Sequence, residues 1–193
     1  RPHLRRSALA AADRSSLSPL MAGAAVNLTH RFCAEMDSLC QYRSVGIAVS
    51  GGGDSVALLH LARIWAAERG ATISVATVDH GLRAASATEA AGVADACAAL
   101  GVSHHTLRWK GWNGRGNLQA EARTARRRLL AEWARSQGLK AVLLGHTMDD
   151  QAETVLMRLG RGSGVDGLSG MRAHSGGDGL AWLRPLLGFR RTE

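Results

Sequence analysis

Ser50-Gly51-Gly52-Gly53-Asp54-Ser55 separates an apolar run, Val45–Val49, from a second apolar run, Val56–Trp65, long enough for a helix. A glycine-rich turn between a strand and a helix N-terminus is an anion site. Its glycines let successive backbone N–H groups turn inward, and the helix start adds unpaired N–H groups and partial positive charge. A Gly/Ser linker has no need of those flanks. The chain contains no G-x-x-x-x-G-K-[ST], so no loop lysine grips terminal phosphates. The loop offers Ser50, Ser55 and the Asp54 carboxylate instead. A carboxylate here suits Mg²⁺ bridging to polyphosphate, because hard cations prefer oxygen ligands.

Outward from this loop, strand-like and helix-like segments alternate. Val45–Val49 reads as a strand and Val56–Arg69 as a helix stopped by Gly70. Thr72–Val78 is a β-branched strand, and Ala87–Leu100 an Ala-rich helix stopped by Gly101. Val102–Trp109 is a strand. Asn117–Gln137 is a long helix with Asn117 as N-cap and Gly138 as stop. Ala141–Gly145 is a buried strand, Met148 to Leu159 a helix, and Leu180–Leu187 a final strand. The rhythm predicts an α/β fold, a doubly wound parallel sheet with helices on both faces. Right-handed crossovers then bring the loops at the strands' C-terminal ends to one rim.

The 193 residues fit one domain, 44–193, preceded by a leader, 1–43. The first 18 residues are rich in Arg and Ser, as in a transit peptide or loose leader, and order is not expected there. His30–Tyr42 reads as a helix feeding the first strand. The basic excess gives a net charge of +8, and all basic residues but Lys110 and Lys140 are arginine. Such a balance suits a polyanionic partner such as RNA, or simply a basic surface. Cys33, Cys40 and Cys97 make no C-x-x-C pair and read as free thiols of a reducing compartment, the cytoplasm. No apolar run approaches the roughly 18 residues of a membrane span.

Four further segments fall on the same rim. Val78-Asp79-His80-Gly81-Leu82-Arg83 ends the second strand. It reads either as a turn or as a border of the nucleotide, with Asp79 and His80 near ribose or phosphates. His146–Thr154 opens a helix with Asp149, Asp150 and Glu153. Thr147 and Asp150 have capping-box spacing, while Asp150 and Glu153 share a helix face that could hold an ammonium group. Arg161-Gly162-Ser163-Gly164 reads as a phosphate cradle or as a helix end and loop. On the long helix, Arg123, Arg126 and Arg127 share one face, either solvated or turned toward phosphates. Trp109 and Trp112 stack on bases or pack the loop between them, and packing is the simpler reading.

The loop resembles that of the PP-loop ATP pyrophosphatases, with an adenine nucleotide alpha hydrolase-like fold, where it holds the β,γ-pyrophosphate. As a set, the motifs resemble the tRNA(Ile)-lysidine synthetases. That family's S-G-G-x-D-S, V-D-H-G-L-R, N-L-[EQ]-A-x-A-R-x-A-R and H-H-x-D-D-Q-A-E-T…G-M patterns occur in order at Ser50–Ser55, Val78–Arg83, Asn117–Arg126 and His146–Met171. Arg184-Pro185-Leu186-Leu187 matches as well. Two positions depart: Thr147 replaces the second His of the family's pair, and Arg127 stands where an aromatic residue is usual. Family members continue into further domains that help hold tRNA, so the resemblance implies that those domains are absent from these residues.

The resemblance implies a ligase that joins lysine to the wobble cytidine of tRNA(Ile), through an adenylated cytidine, releasing AMP and pyrophosphate. ATP and Mg²⁺ are the implied cofactors; tRNA(Ile) and free L-lysine are the implied partners. Ser50, Gly51, Gly52, Gly53, Asp54 and Ser55 would bind pyrophosphate, with Asp54 also on the metal. Asp79 and His80 would border the adenosine. Arg126 or Arg123 would neutralise the α-phosphate, Asp150 and Glu153 would hold the lysine amine, and Arg161 and Ser163 would line the RNA side. Two alternatives stay open: another PP-loop tRNA-modifying enzyme (a thiolase or amidotransferase), or a nucleotide- or RNA-binding module without turnover. The oligomeric state is open too, a homodimer included.

Overall fold

The computed structural model describes residues 19–81, 84–110, 116–160, 169–177 and 179–193. Of the leader expected over residues 1–43, the first 18 lie outside them. The elements are α1 (Pro19–Leu39), β1 (Ser44–Ala48), α2 (Gly53–Arg69), β2 (Thr72–Asp79), α3 (Ala84–Ala99) and β3 (Ser103–Arg108). They continue with α4 (Leu118–Ser136), β4 (Ala141–Leu144), α5 (Met148–Gly160), β5 (His174–Gly177) and β6 (Leu180–Leu183). The predicted strands and helices are all present, most with ends displaced by a few residues; the helix expected over His30–Tyr42 is longer, starting at Pro19 and ending at Leu39.

One six-stranded sheet runs in the order β3-β2-β1-β4-β6-β5. Every pairing is parallel except β5 with β6 at the edge. The sheet is therefore mostly parallel, and β5 was not anticipated. Its residues, His174-Ser175-Gly176-Gly177, carry no strand propensity; the free edge of β6 recruits them. The predicted strand Leu180–Leu187 ends at Leu183, because Pro185 has no N–H to continue a ladder.

Side chains alternate across the strands and are buried on both faces. Val45, Ile47 and Val49 of the β1 region, Leu143 of β4 and Leu183 of β6 join Phe32, Met36, Leu58, Leu59, Trp65 and Val93 in one core. Ala48, Val142, Leu144 and Trp182 face the other way, onto Leu130, Trp133 and Ala134 of α4. This is the doubly wound sandwich: α1, α2 and α3 on one face and α4 on the other.

The fold also starts earlier than residue 44. Phe32 and Met36 of α1 are completely buried against the same core as α2. Truncating such a side chain costs about 3 kcal/mol or more, so α1 is structural rather than part of a loose leader.

The chain order places the site. Strands step from β1 to β2 and β3 on one side, and on the other β1 pairs with β4. That reversal leaves a crevice beyond the C-terminal ends of β1 and β4, where open α/β sheets bind ligands.

Candidate active site

The glycine loop connects β1 to α2 inside that crevice. Gly51 has φ +89, a left-handed conformation that turns the chain sharply. The Ser50 N–H donates to Ser55 Oγ at 3.1 Å, and the Ser55 hydroxyl donates to the Gly52 carbonyl at 2.8 Å. Ser55 is buried, so its hydroxyl sets the shape of the loop from within. Gly51, Gly52 and Gly53 stay exposed, with Ser50 beside them. The cradle is thus presented by backbone, as an anion site needs.

At the end of β4, Thr147 caps α5. Its N–H donates to Asp150 Oδ2 at 2.7 Å and its hydroxyl to the same oxygen at 3.1 Å. One Asp150 oxygen therefore serves the helix, as the capping-box spacing anticipated. The other, Oδ1, points elsewhere and receives Arg191 Nη2 at 3.1 Å. Arg191 Nε donates to Asp54 Oδ2 at 3.0 Å. The carboxylates of the two main motifs are brought together by one guanidinium. Hydrogen bonding to Asp54, then its charge, holds Arg191 above its ordinary pKa. No local sequence signal marks Arg191, which lies 137 positions from Asp54.

Asp79 works mainly within its own turn. Its Oδ1 accepts from the Ser86 hydroxyl at 2.6 Å and from the Gly81 N–H at 2.9 Å, which hold the carboxyl below its usual range. His80 lies edge-on to Trp109, ring centroids 5.9 Å apart, so Trp109 packs the site wall as expected. Trp112 is outside the described residues, as are Arg161 and Ser163.

Two cavities open here. One of about 190 Å³ is lined by Ser50, Thr77, His80, Ser86 and Arg126. The other, about 800 Å³, is lined by Arg123, Arg126, His146, Asp150, Glu153 and Arg184. Arg126 lines both. Burial pulls its guanidinium below the ordinary arginine value, and no carboxylate among the described residues pairs with it. A desolvated, unpaired cation is costly unless an anion meets it. Arg127, on the same face, stacks over Trp182 with its guanidinium 4.8 Å from the ring centroid. That contact gives the arginine at the departing position a wall to lie on.

The surroundings of both site histidines disfavour the charged form. Burial, then the Arg126 charge, lowers the pKa of His80; burial, then Arg184 and Arg126, lowers that of His146. The Nδ1 atoms of both are buried without a partner among the described residues.

The sequence matches a PP-loop domain over residues 25–193. The chain belongs to the PP-loop domain family. It is 55% identical over 149 residues to a tRNA(Ile)-lysidine synthase of Ruegeria pomeroyi, covering 77% of this chain and 36% of that protein. It is 50% identical over 166 residues to one of Novosphingobium aromaticivorans, covering 84% and 50%. The chain thus spans half or less of these relatives' length. Among solved structures, a U34-tRNA thiolase of Methanococcus maripaludis shares the fold with a TM-score of 0.73 at 18% identity, covering 88% of this chain and 62% of that one. An NH3-dependent NAD synthetase of Campylobacter jejuni does so with a TM-score of 0.52 at 16% identity, covering 87% and 69%. At those identities the likeness is one of fold. The family match accounts for the PP-loop and its ATP. It starts at residue 25, within α1, in keeping with the core contacts of that helix.

Proposed function

We propose that this chain is the adenylating and ligating part of a tRNA(Ile)-lysidine synthase. The observation that carries the reading is the place of Arg126. It is a cation without a carboxylate partner among the described residues, at the junction of a small cavity bounded by the PP-loop and a large one bounded by Asp150 and Glu153, in a chain about half identical to proteins of that name over its matched length. An α-phosphate at that junction would face the nucleotide on one side and the acceptor on the other.

The small cavity, lined by Ser50 and His80, takes the adenosine end of ATP, with the Asp79 turn beside it, and the exposed loop glycines take its pyrophosphate. The cytosine O2 of the wobble cytidine attacks the α-phosphorus, giving an adenylated base and pyrophosphate. The lysine ε-amine then attacks the ring carbon between the two nitrogens and expels AMP. Both steps build charge on phosphate and need positioning more than an acid–base pair. Arg126, with Arg123 at the rim, neutralises the α-phosphate. Asp150 and Glu153 hold the lysine amine. Arg161 and Ser163 line the RNA side.

Asp54 fits a Mg²⁺ ion, because its carboxylate stands at the PP-loop and already holds a cation, the Arg191 guanidinium, at 3.0 Å. Mg²⁺ is usually held by one or two carboxylates with substrate phosphates rather than by a protein cage. When bound, it would neutralise the pyrophosphate leaving group. The reaction belongs in the cytoplasm, where tRNA and the reduced thiols are found.

The product decides the matter. ATP, Mg²⁺, lysine and unmodified tRNA(Ile) should yield AMP, pyrophosphate and lysidine at the wobble position. Release of ADP, or a different modified nucleotide, would sink the reading.

A further inference from the structure

Asp54 and Asp150 come from two motifs and, in the lysidine-forming reaction proposed for them, serve two ligands: the nucleotide with its metal, and the lysine ammonium. One side chain spans both. Arg191 reaches Asp54 through Nε and Asp150 through Nη2, at 3.0 and 3.1 Å. Its guanidinium therefore sits on the oxygens that both incoming cations need.

The backbone of that segment is anchored without the guanidinium. The Arg191 N–H donates to Asp149 Oδ2 at 2.8 Å, and the Met148 N–H donates to the Phe189 carbonyl at 2.8 Å. Phe189 is buried in the core, and Arg31 lies over its ring and pairs with Glu193. The Arg191 side chain itself is 48% exposed. Fixed at its root and half-exposed along its side chain, it can leave the carboxylates while the turn stays in place. Exposed ion pairs are weak and screened by water. A divalent cation chelated by Asp54 and polyphosphate is a stronger competitor, and the polyphosphate offers the displaced guanidinium a new anionic partner.

We propose that Arg191 is a positioning residue that orders loading of the site: it blocks Asp150 until Mg²⁺-nucleotide takes Asp54, and only then is Asp150 released to the lysine ammonium. Nucleotide precedes lysine, so the amine is held only beside a nucleotide that can activate the base. A simple structural clamp would not produce this coupling. The inference rests on the lysidine-forming reading.

Its test is the lysine affinity of the full chain, measured by equilibrium dialysis with labelled lysine, with and without Mg²⁺ and an α,β-methylene ATP analogue. The wild type should bind lysine about tenfold or more tightly when the analogue is present. Arg191→Gln should bind lysine without nucleotide as tightly as the wild type does with it. Arg191→Lys keeps the charge but loses the fork that spans two carboxylates, so its nucleotide dependence should fall between the two. Equal lysine affinity with and without nucleotide in the wild type overturns the inference, as does an undiminished dependence in Arg191→Gln. Either result leaves the lysidine reading standing. Binding of the analogue with no lysine binding in any state overturns the assignment of Asp150 to lysine, and this inference with it.

Discussion

Gly145, the residue after β4, lies flat against Ser55: a Cβ on Gly145 would stand 3.0 Å from the Ser55 Cα and 3.2 Å from the Asp54 carbonyl. The PP-loop and the segment that leads from β4 into α5 touch at this point, backbone against backbone. Gly145→Ala would push the PP-loop away from the start of α5. Overpacking of this kind costs about 1–3 kcal/mol, and here it falls on the loop. ATP affinity should drop by about tenfold or more while the fold persists. Nucleotide titration beside a thermal melt checks it, and wild-type affinity in the variant would refute the contact's importance.

Asp54→Ala and Glu153→Ala should fail in different ways. The first removes the carboxylate beside the phosphates and should abolish AMP release. The second removes one amine contact and should raise the lysine KM with kcat nearly unchanged. A lysine KM in Glu153→Ala equal to that of the wild type would remove Glu153 from the amine site.

Acidification should weaken the fold. Burial lowers His80, His104 and His146 from the ordinary 6.5. Unfolded, they regain that value, so between about 6.5 and their folded values the unfolded chain binds more protons. Stability is at its full level above about pH 6.5 and declines as pH falls through that window. The melting temperature should therefore fall between about pH 7 and pH 5.5, and His146→Gln should flatten the decline. Asp37 and Asp79, held below 3.8, act in the same direction only at much lower pH. A melting temperature constant across the upper window would contradict the burial of these rings.

Gln151 ties α5 to the segment that follows it. Its Nε2 donates to the Met171 carbonyl at 2.8 Å, and its Oε1 accepts the Met171 N–H at 2.5 Å. Met171 lines the large cavity. Gln151→Ala strips both bonds, a loss of about 1–3 kcal/mol, and should loosen residues 169–172 more than the core. Faster amide exchange there, with a small change in melting temperature, is the expected result. Exchange as slow as in the wild type would show that other contacts hold the segment.

Much of this was legible in local sequence because the signals act locally. Asn117 caps α4 as expected, its Oδ1 accepting from Gln119 N at 3.0 Å and Ala120 N at 3.3 Å. Gly70 and Gly138 end their helices with φ +61 and +68. Other features carry no such signal. Gly145 does stand where a strand glycine can mark close backbone approach, but nothing nearby says that Ser55 is the neighbour. β5 forms only because β6 offers an edge. The reach of α1 into the core depends on Phe32 and Met36 finding α2.

The sequence alone determined the strand–loop–helix units, the PP-loop and the acidic start of α5, because capping, glycine conformation and apolar spacing act within a few residues. Only the tertiary structure decided that Asp54 and Asp150 share Arg191, that Arg126 stands between two cavities, and which oxygen of Asp150 is spent on its own helix. Those relations join residues up to 137 positions apart, and they depend on the strand order that sets β4 beside β1. Hydrogen bonds and ion pairs act over a few ångströms, so chain separation hides them until the sheet brings their partners together.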